Sequence, residues 1–148
     1  MIVNTELAQS HGCEQKDKWE TPLKIFDALN QEFGFTLDPC CEPHTAKCPK
    51  YYTEANNGLQ QDWSGEVVFC NPPYSRKRIA LWMRKCYEES LKGTLIVALI
   101  PVSSSAGWWH DYVLGKAEIR FYRGRIRFIG AKYTAPFSSC LAIYNGTK

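Results

Sequence analysis

Apolar residues along the chain fall into two periods, and the switches between them mark the elements. Leu23, Phe26, Ala28, Leu29 and Phe33 recur at helical spacing. Thr21 reads as the N-cap of that helix, Pro22 as its first residue and Gly34 as its C-cap. Residues 35–37 read as a short strand that ends at Asp38-Pro39. Residues 39–65 are irregular, with one short extended piece at 51–53. The run Val67-Val68-Phe69-Cys70 is β-branched and aromatic, and it lies between Gly65 and two prolines. It predicts a buried strand that stops abruptly, because proline cannot extend a sheet. Ile79, Trp82, Met83, Cys86, Tyr87 and Leu91 mark one face of a helix over 79–91, closed by Gly93. Residues 94–100 form a continuous apolar run, as in a central strand covered on both faces. Ser103, Ser104 and Ser105 offer a cap for a helix carrying Trp108, Trp109, Tyr112, Val113 and Leu114. Residues 117–122 and 125–129 alternate as strands do, and Arg123-Gly124 between them suits a tight hairpin. A last strand is expected at 139–144.

Helices and strands alternate early and strands follow one another late. That order predicts an α/β fold: a mostly parallel sheet with helices on both faces and an antiparallel edge. With 148 residues there is room for one core. The expectation is a single domain over 17–148, preceded by a flexible arm over 1–16, which is polar and aperiodic.

Charge sharpens the picture by its distribution, since the net value is only +3. No acidic residue follows Glu118, whereas Arg120, Arg123, Arg125, Arg127, Lys132 and Lys148 do. A second basic cluster, Arg76-Lys77-Arg78, follows the two prolines. Such local fields attract polyanions even at modest net charge. The longest apolar stretch, 95–102, is too short to span a bilayer, and the N-terminus lacks the pattern of a secretion signal, so a cytoplasmic protein is expected. The seven cysteines are then expected to be reduced thiols. Cys40, Cys41, His44 and Cys48 are close in sequence but lack paired zinc-knuckle spacing, and they read as thiols in a turn rather than a metal site.

The sharpest chemical signal is Asn71-Pro72-Pro73-Tyr74, placed just past a strand end, where open α/β sheets bind ligands. The amide oxygen of Asn71 and the carbonyl of Pro72 can accept from the two N–H groups of a planar amine, and Tyr74 can stack on its ring. Neither a GxGxxG nor a GxxxxGK[ST] loop occurs, which argues against dinucleotide oxidoreductases and P-loop enzymes. Asp38 is placed to accept from a ribose diol or a cationic amine, or to open a simple turn. Asp62, before Trp63 and the next strand, follows a similar logic, with an Asx-turn or a helix cap as its plainer reading.

These pieces, in order, resemble the small phage-type DNA N6-adenine methyltransferases. The matching segments are 17–22 (DKWETP), 35–39 (FTLDP), 47–52 (KCPKYY), 62–74 ending in NPPY, 99–101 (LIP), 108–110 (WWH) and 124–128 (GRIRF). The resemblance spans residues 17–145. It implies a Rossmann-like methyltransferase that transfers a methyl group from S-adenosylmethionine to adenine N6 in double-stranded DNA, in a bacterial host's cytoplasm. Trp19, Thr21 and Pro22 would flank the methionine end of the cofactor, Asp38 and Pro39 would lie in its pocket, and Asp62 near its adenine or ribose. Asn71 to Tyr74 would hold the extruded adenine, with Asn71 also bordering the cofactor. Phe128 would contact the flipped base, and Arg76, Lys77, Arg78, Arg123, Arg125 and Arg127 would face DNA. One departure stands out: Asp38-Pro39 runs into Cys40-Cys41 where many relatives have a glycine-rich turn. RNA or a protein glutamine amide would present similar amines, and a binding module with a degenerate site would keep the basic clusters. With no room for a recognition domain, a short or relaxed site preference is expected, and a two-fold dimer would suit a palindrome.

Overall fold

The computed structural model describes residues 17–146; the expected arm over 1–16 lies outside them. The elements are α1 (Leu23–Phe33), β1 (Leu37–Asp38), β2 (Lys50–Tyr51), β3 (Val67–Cys70), α2 (Arg76–Ser90), β4 (Leu95–Pro101), α3 (Gly107–Tyr112), β5 (Glu118–Phe121) and β6 (Ser139–Tyr144), with short 3-10 turns at Pro43–Thr45 and Gly58–Gln60. The architecture is mixed α/β, built on one six-stranded sheet in the order β2-β1-β3-β4-β6-β5. The pairs β1/β2, β1/β3 and β3/β4 are parallel, and β6 runs antiparallel to both β4 and β5. All strands but β6 therefore point one way. The segments after β1, β2, β3, β4 and β5 leave from the same end of the sheet.

The continuous apolar run becomes β4 because both its faces are covered. Ile96 to Ile100 are fully buried, and they alternate between two cores. Ile96, Ala98 and Ile100 pack with Ile79, Trp82 and Met83 of α2 and with Trp108 and Trp109 of α3. Val97 and Leu99 pack with Phe26 and Leu29 of α1 and with Ile126 and Phe128. Each such side chain removed from water contributes about 1.5–3 kcal/mol, so this one strand anchors much of the fold.

Local signals were displaced where tertiary partners compete for them. Thr21 does not cap α1. Pro22 is the N-cap residue, its carbonyl accepting from Ile25 and Phe26 N–H at 3.1 Å, while the Thr21 hydroxyl is used elsewhere. Gly34, at φ +70°, closes the helix as expected. Leu23 lies on the solvent side of α1, 59% exposed. α2 begins at Arg76, three residues earlier than its apolar face suggested, and Leu91 is its half-exposed C-cap. α3 starts after Ala106, without a capping serine.

The expected hairpin of 117–122 with 125–129 does not form. β5 pairs with β6, and 125–129 contributes only a bridge from Ile129 to Glu20. The alternation there is real, since Ile126 and Phe128 are buried. It reflects packing on the second core, with Ile129 N–H donating to the Glu20 carbonyl at 3.0 Å and Ala135 N–H to the Ile126 carbonyl at 2.8 Å.

Among the described residues, no helix is long and apolar enough to cross a membrane. The turn at Gly58 has little room for a side chain. A Cβ there would lie 2.1 Å from the Pro39 carbonyl oxygen and 3.1 Å from the Trp82 ring. Gly58→Ala is therefore expected to destabilise the protein by about 1–3 kcal/mol. An unchanged urea midpoint would refute the close approach.

Candidate active site

A cleft of about 960 Å³ opens at the strand ends, within the usual range for small-molecule sites. Trp19, Thr21, Asp38, Pro39, Asn71 and Pro73 all line it. The sheet brings these together because β1 and β3 are neighbours and parallel, so Asp38 and Asn71 emerge side by side.

Asn71 is held by a segment far away in sequence. Its Nδ2 donates to the Trp19 carbonyl and to the Thr21 hydroxyl, the latter at 2.9 Å. A carbonyl can only accept, so this contact fixes which end of the amide is nitrogen. The oxygen, Oδ1, takes the Tyr74 hydroxyl at 2.8 Å, and that hydroxyl also lies 2.9 Å from the Leu99 carbonyl. Oδ1 retains a second lone pair. Among the described residues no donor meets the Pro72 carbonyl. The motif thus holds two acceptors: Asn71 lines the cleft, whereas Pro72 is buried and, like Tyr74, is not part of its lining.

Tyr74 is part of a ring cluster. It stacks on Trp19 at 6.1 Å, and the edges of Phe128 and Phe137 close around the pair. Burial holds its phenol neutral well beyond the ordinary range, so its single proton is shared between the Asn71 oxygen and the Leu99 carbonyl. Phe128 is 2% exposed. In this conformation it is a wall of the cluster and shows no open face to a base.

Asp38 is buried, only 3% exposed. It accepts from the backbone N–H groups of Cys40 at 3.3 Å and Lys47 at 3.0 Å. Burial nonetheless outweighs these bonds and pushes its carboxyl up to about 6. The same bonds shape the loop that lacks glycines: Asp38 gathers both of its ends, and Glu42 and Thr45 close its 3-10 turn reciprocally. Cys40 and Cys41 line this cleft, and burial raises both thiols. Cys48 is buried, and His44 is exposed beside Glu42 at 3.7 Å.

Two predicted residues stand apart. Pro22 turns the chain into α1. Asp62 lies beyond the far end of β3, outside the cleft, and is bound by Ser64 and by Lys92 at 3.0 Å. The Ser64 hydroxyl first, then its N–H and Lys92, hold that carboxyl below its usual range. This is the simple turn that the sequence also allowed.

Arg76, Lys77 and Arg78 form the exposed first turn of α2, directly past Tyr74. Three cations at a helix N-terminus oppose the helix dipole. Asp17 offsets them: it accepts from Ser75 N–H at 2.7 Å and the Ser75 hydroxyl at 3.1 Å, and pairs with Arg78 at 3.3 Å. Arg123, Arg125 and Arg127 are exposed in the segment between β5 and β6, at the same end of the sheet. Asp17, Glu20, Lys47 and Glu54 also border the cleft. Asp17 and Glu20 lie in the matched segment 17–22 and Lys47 in 47–52, but the resemblance implied no role for them; Glu54 lies outside every matched segment.

A family model for DNA N-6-adenine-methyltransferases (Dam) matches residues 9–142. The chain belongs to that family. It is 33% identical over 117 residues to the DNA N-6-adenine-methyltransferase of Haemophilus phage HP1 (strain HP1c1), covering 77% of this chain and 67% of that one. It is 30% identical over 106 residues to the DNA N-6-adenine-methyltransferase of Escherichia phage T1, covering 70% of this chain but only 44% of the T1 protein. The putative methyltransferase YfdM of Escherichia coli (strain K12) is 43% identical over 68 residues, or 41% of this chain and 75% of that protein.

Asp38 also gives this Dam-family chain a pH signature. Its carboxyl titrates near 6 when folded and near 4 when unfolded. Between those values the folded state holds the extra proton, so this group's contribution to stability falls as pH rises from about 4 to about 6. The stability difference between the wild type and Asp38→Asn should shift across that window by about 2–3 kcal/mol. Urea denaturation at several pH values checks it, and a constant difference would contradict the burial argument.

Proposed function

We propose that duplex DNA is the substrate and S-adenosylmethionine the methyl donor, with the cofactor in the Asp38 cleft and the target adenine against Asn71 and Pro72. Family membership makes the reaction class methyl transfer to adenine N6 in DNA. The observation that carries the assignment of residues is the fixed Asn71 amide, whose oxygen orientation is set by the Trp19 carbonyl and the Tyr74 hydroxyl.

The residues present suit the cofactor. The Asp38 carboxyl, pushed up to about 6 by burial, suits a hydroxyl or cationic donor that would stabilise its ionised form. Pro39, Leu59 and Trp82 supply apolar wall for a planar ring. Glu54 follows β2 at the cleft edge, where an acidic side chain can meet a ribose diol. When bound, the cofactor supplies an electrophilic methyl group.

The protein's task is then to make a poor nucleophile adequate. The adenine amine is weak because its lone pair is delocalised into the ring. Accepting both N–H groups, at Asn71 Oδ1 and the Pro72 carbonyl, favours tetrahedral character at nitrogen and frees that lone pair. This is preorganised electrostatics and positioning. Tyr74, Trp19 and the Phe edges keep water from the amide. Extrusion of the base from the duplex is required, since the amine faces its partner inside the stack. The first turn of α2 and the basic segment before β6 flank the motif and supply the phosphate contacts. The two cores alternating along β4 support a Rossmann-like sheet covered by helices on both faces.

Asn71→Ala should lower methyl transfer on the order of 10²–10³-fold, the typical loss when one transition-state hydrogen-bond partner is removed. Labelled-methyl transfer to unmethylated duplex measures this, with S-adenosylhomocysteine binding by calorimetry as the control for folding. Near-wild-type transfer by the variant would overturn the role given to Asn71.

A further inference from the structure

Lys47 is a buried cation that uses little of its bonding capacity. Its side chain is 8% exposed, and Nζ meets the Glu20 carboxylate at 3.3 Å. Among the described residues this is its only hydrogen-bond partner. An ammonium carries three donors, and a charge-assisted bond is normally about 2.7–2.9 Å, so the contact is long and two donors are spare. Glu20 is only half-buried, at 32% exposure, so the desolvation falls mainly on Lys47, and an ion pair repays it only with close geometry and satisfied donors. By that measure the pair is poorly used as a structural bond.

Its place explains the arrangement. Both residues line the cleft. Glu20 sits between Trp19 and Thr21, the two residues that bond Asn71. The backbone of Lys47 bonds Asp38. The pair therefore spans the space between the two halves of the proposed site, one residue from the groups that fix the acceptor amide. A ligand that presents a carboxylate and an ammonium on one carbon, close to the reacting centre, would match both charges at once.

We infer that Glu20 and Lys47 receive the α-amino acid end of the cofactor, Lys47 taking the carboxylate and Glu20 the ammonium. This assignment rests on the proposed function. No bond forms or breaks in it: the ion pair exchanges one contact for two.

Calorimetry with two product-like ligands tests it. S-adenosylhomocysteine carries the amino acid end, and 5′-methylthioadenosine lacks it. Lys47→Met should weaken S-adenosylhomocysteine about tenfold or more, the usual loss for a hydrogen bond to a charged group, and leave 5′-methylthioadenosine within about twofold. Glu20→Gln should show the same selectivity, and it removes charge with almost no change of shape. Equal weakening of both ligands, or of neither, in Glu20→Gln would overturn the inference. Failure of the wild type to bind either ligand would instead overturn the proposed function itself.

Discussion

The structure turns on the amide of Asn71. Its nitrogen is bonded to the 19–21 segment and its oxygen to Tyr74. This one side chain therefore joins the end of β3, the segment entering α1 and the ring cluster beneath the motif. The Trp19 carbonyl removes the ambiguity of the amide, and the buried, neutral Tyr74 hydroxyl holds its oxygen. Without those partners the motif would be a stiff turn bearing a rotatable amide. With them the amide has a fixed polarity.

Asp17 and Asp38 do comparable work on the two loops that flank this centre. Asp17 caps the start of α2 and balances its cations, so basic residues can stand next to the motif without unwinding the helix. Asp38 gathers the backbone of the following loop through Cys40 and Lys47. That replaces the organisation a glycine-rich turn gives, and it needs no left-handed residue in the loop. The cost is a carboxyl buried enough to hold its proton to about pH 6. A raised carboxyl and the loop's architecture thus meet in one side chain.

Much of the fold was legible because its signals are local. The apolar run of β4 and the strand at 139–144 formed where expected, since burial on two faces leaves an unbroken pattern. The face of α2 matched at Ile79, Trp82, Met83 and Cys86. Errors arose where a pattern records burial without naming what buries it. Residues 125–129 alternate like a strand, yet Ile126 and Phe128 face the α1 core from a loop. Thr21 resembles a cap, yet its hydroxyl serves Asn71. Asp62 precedes a strand, but at the end of the sheet away from the cleft.

The sequence by itself determined that a strand ends at an Asn-Pro-Pro-Tyr corner, that β4 is central and that cations cluster after that corner and again after Glu118. Proline geometry and side-chain periodicity act over a few residues and need no distant partner. Only the tertiary structure decided which way the Asn71 amide points, what caps α2 and which charges face each other across the cleft. Those contacts join residues 52, 58 and 27 positions apart. Their energy comes from groups that meet only where segment 17–20 packs against the residues that follow β1 and β3.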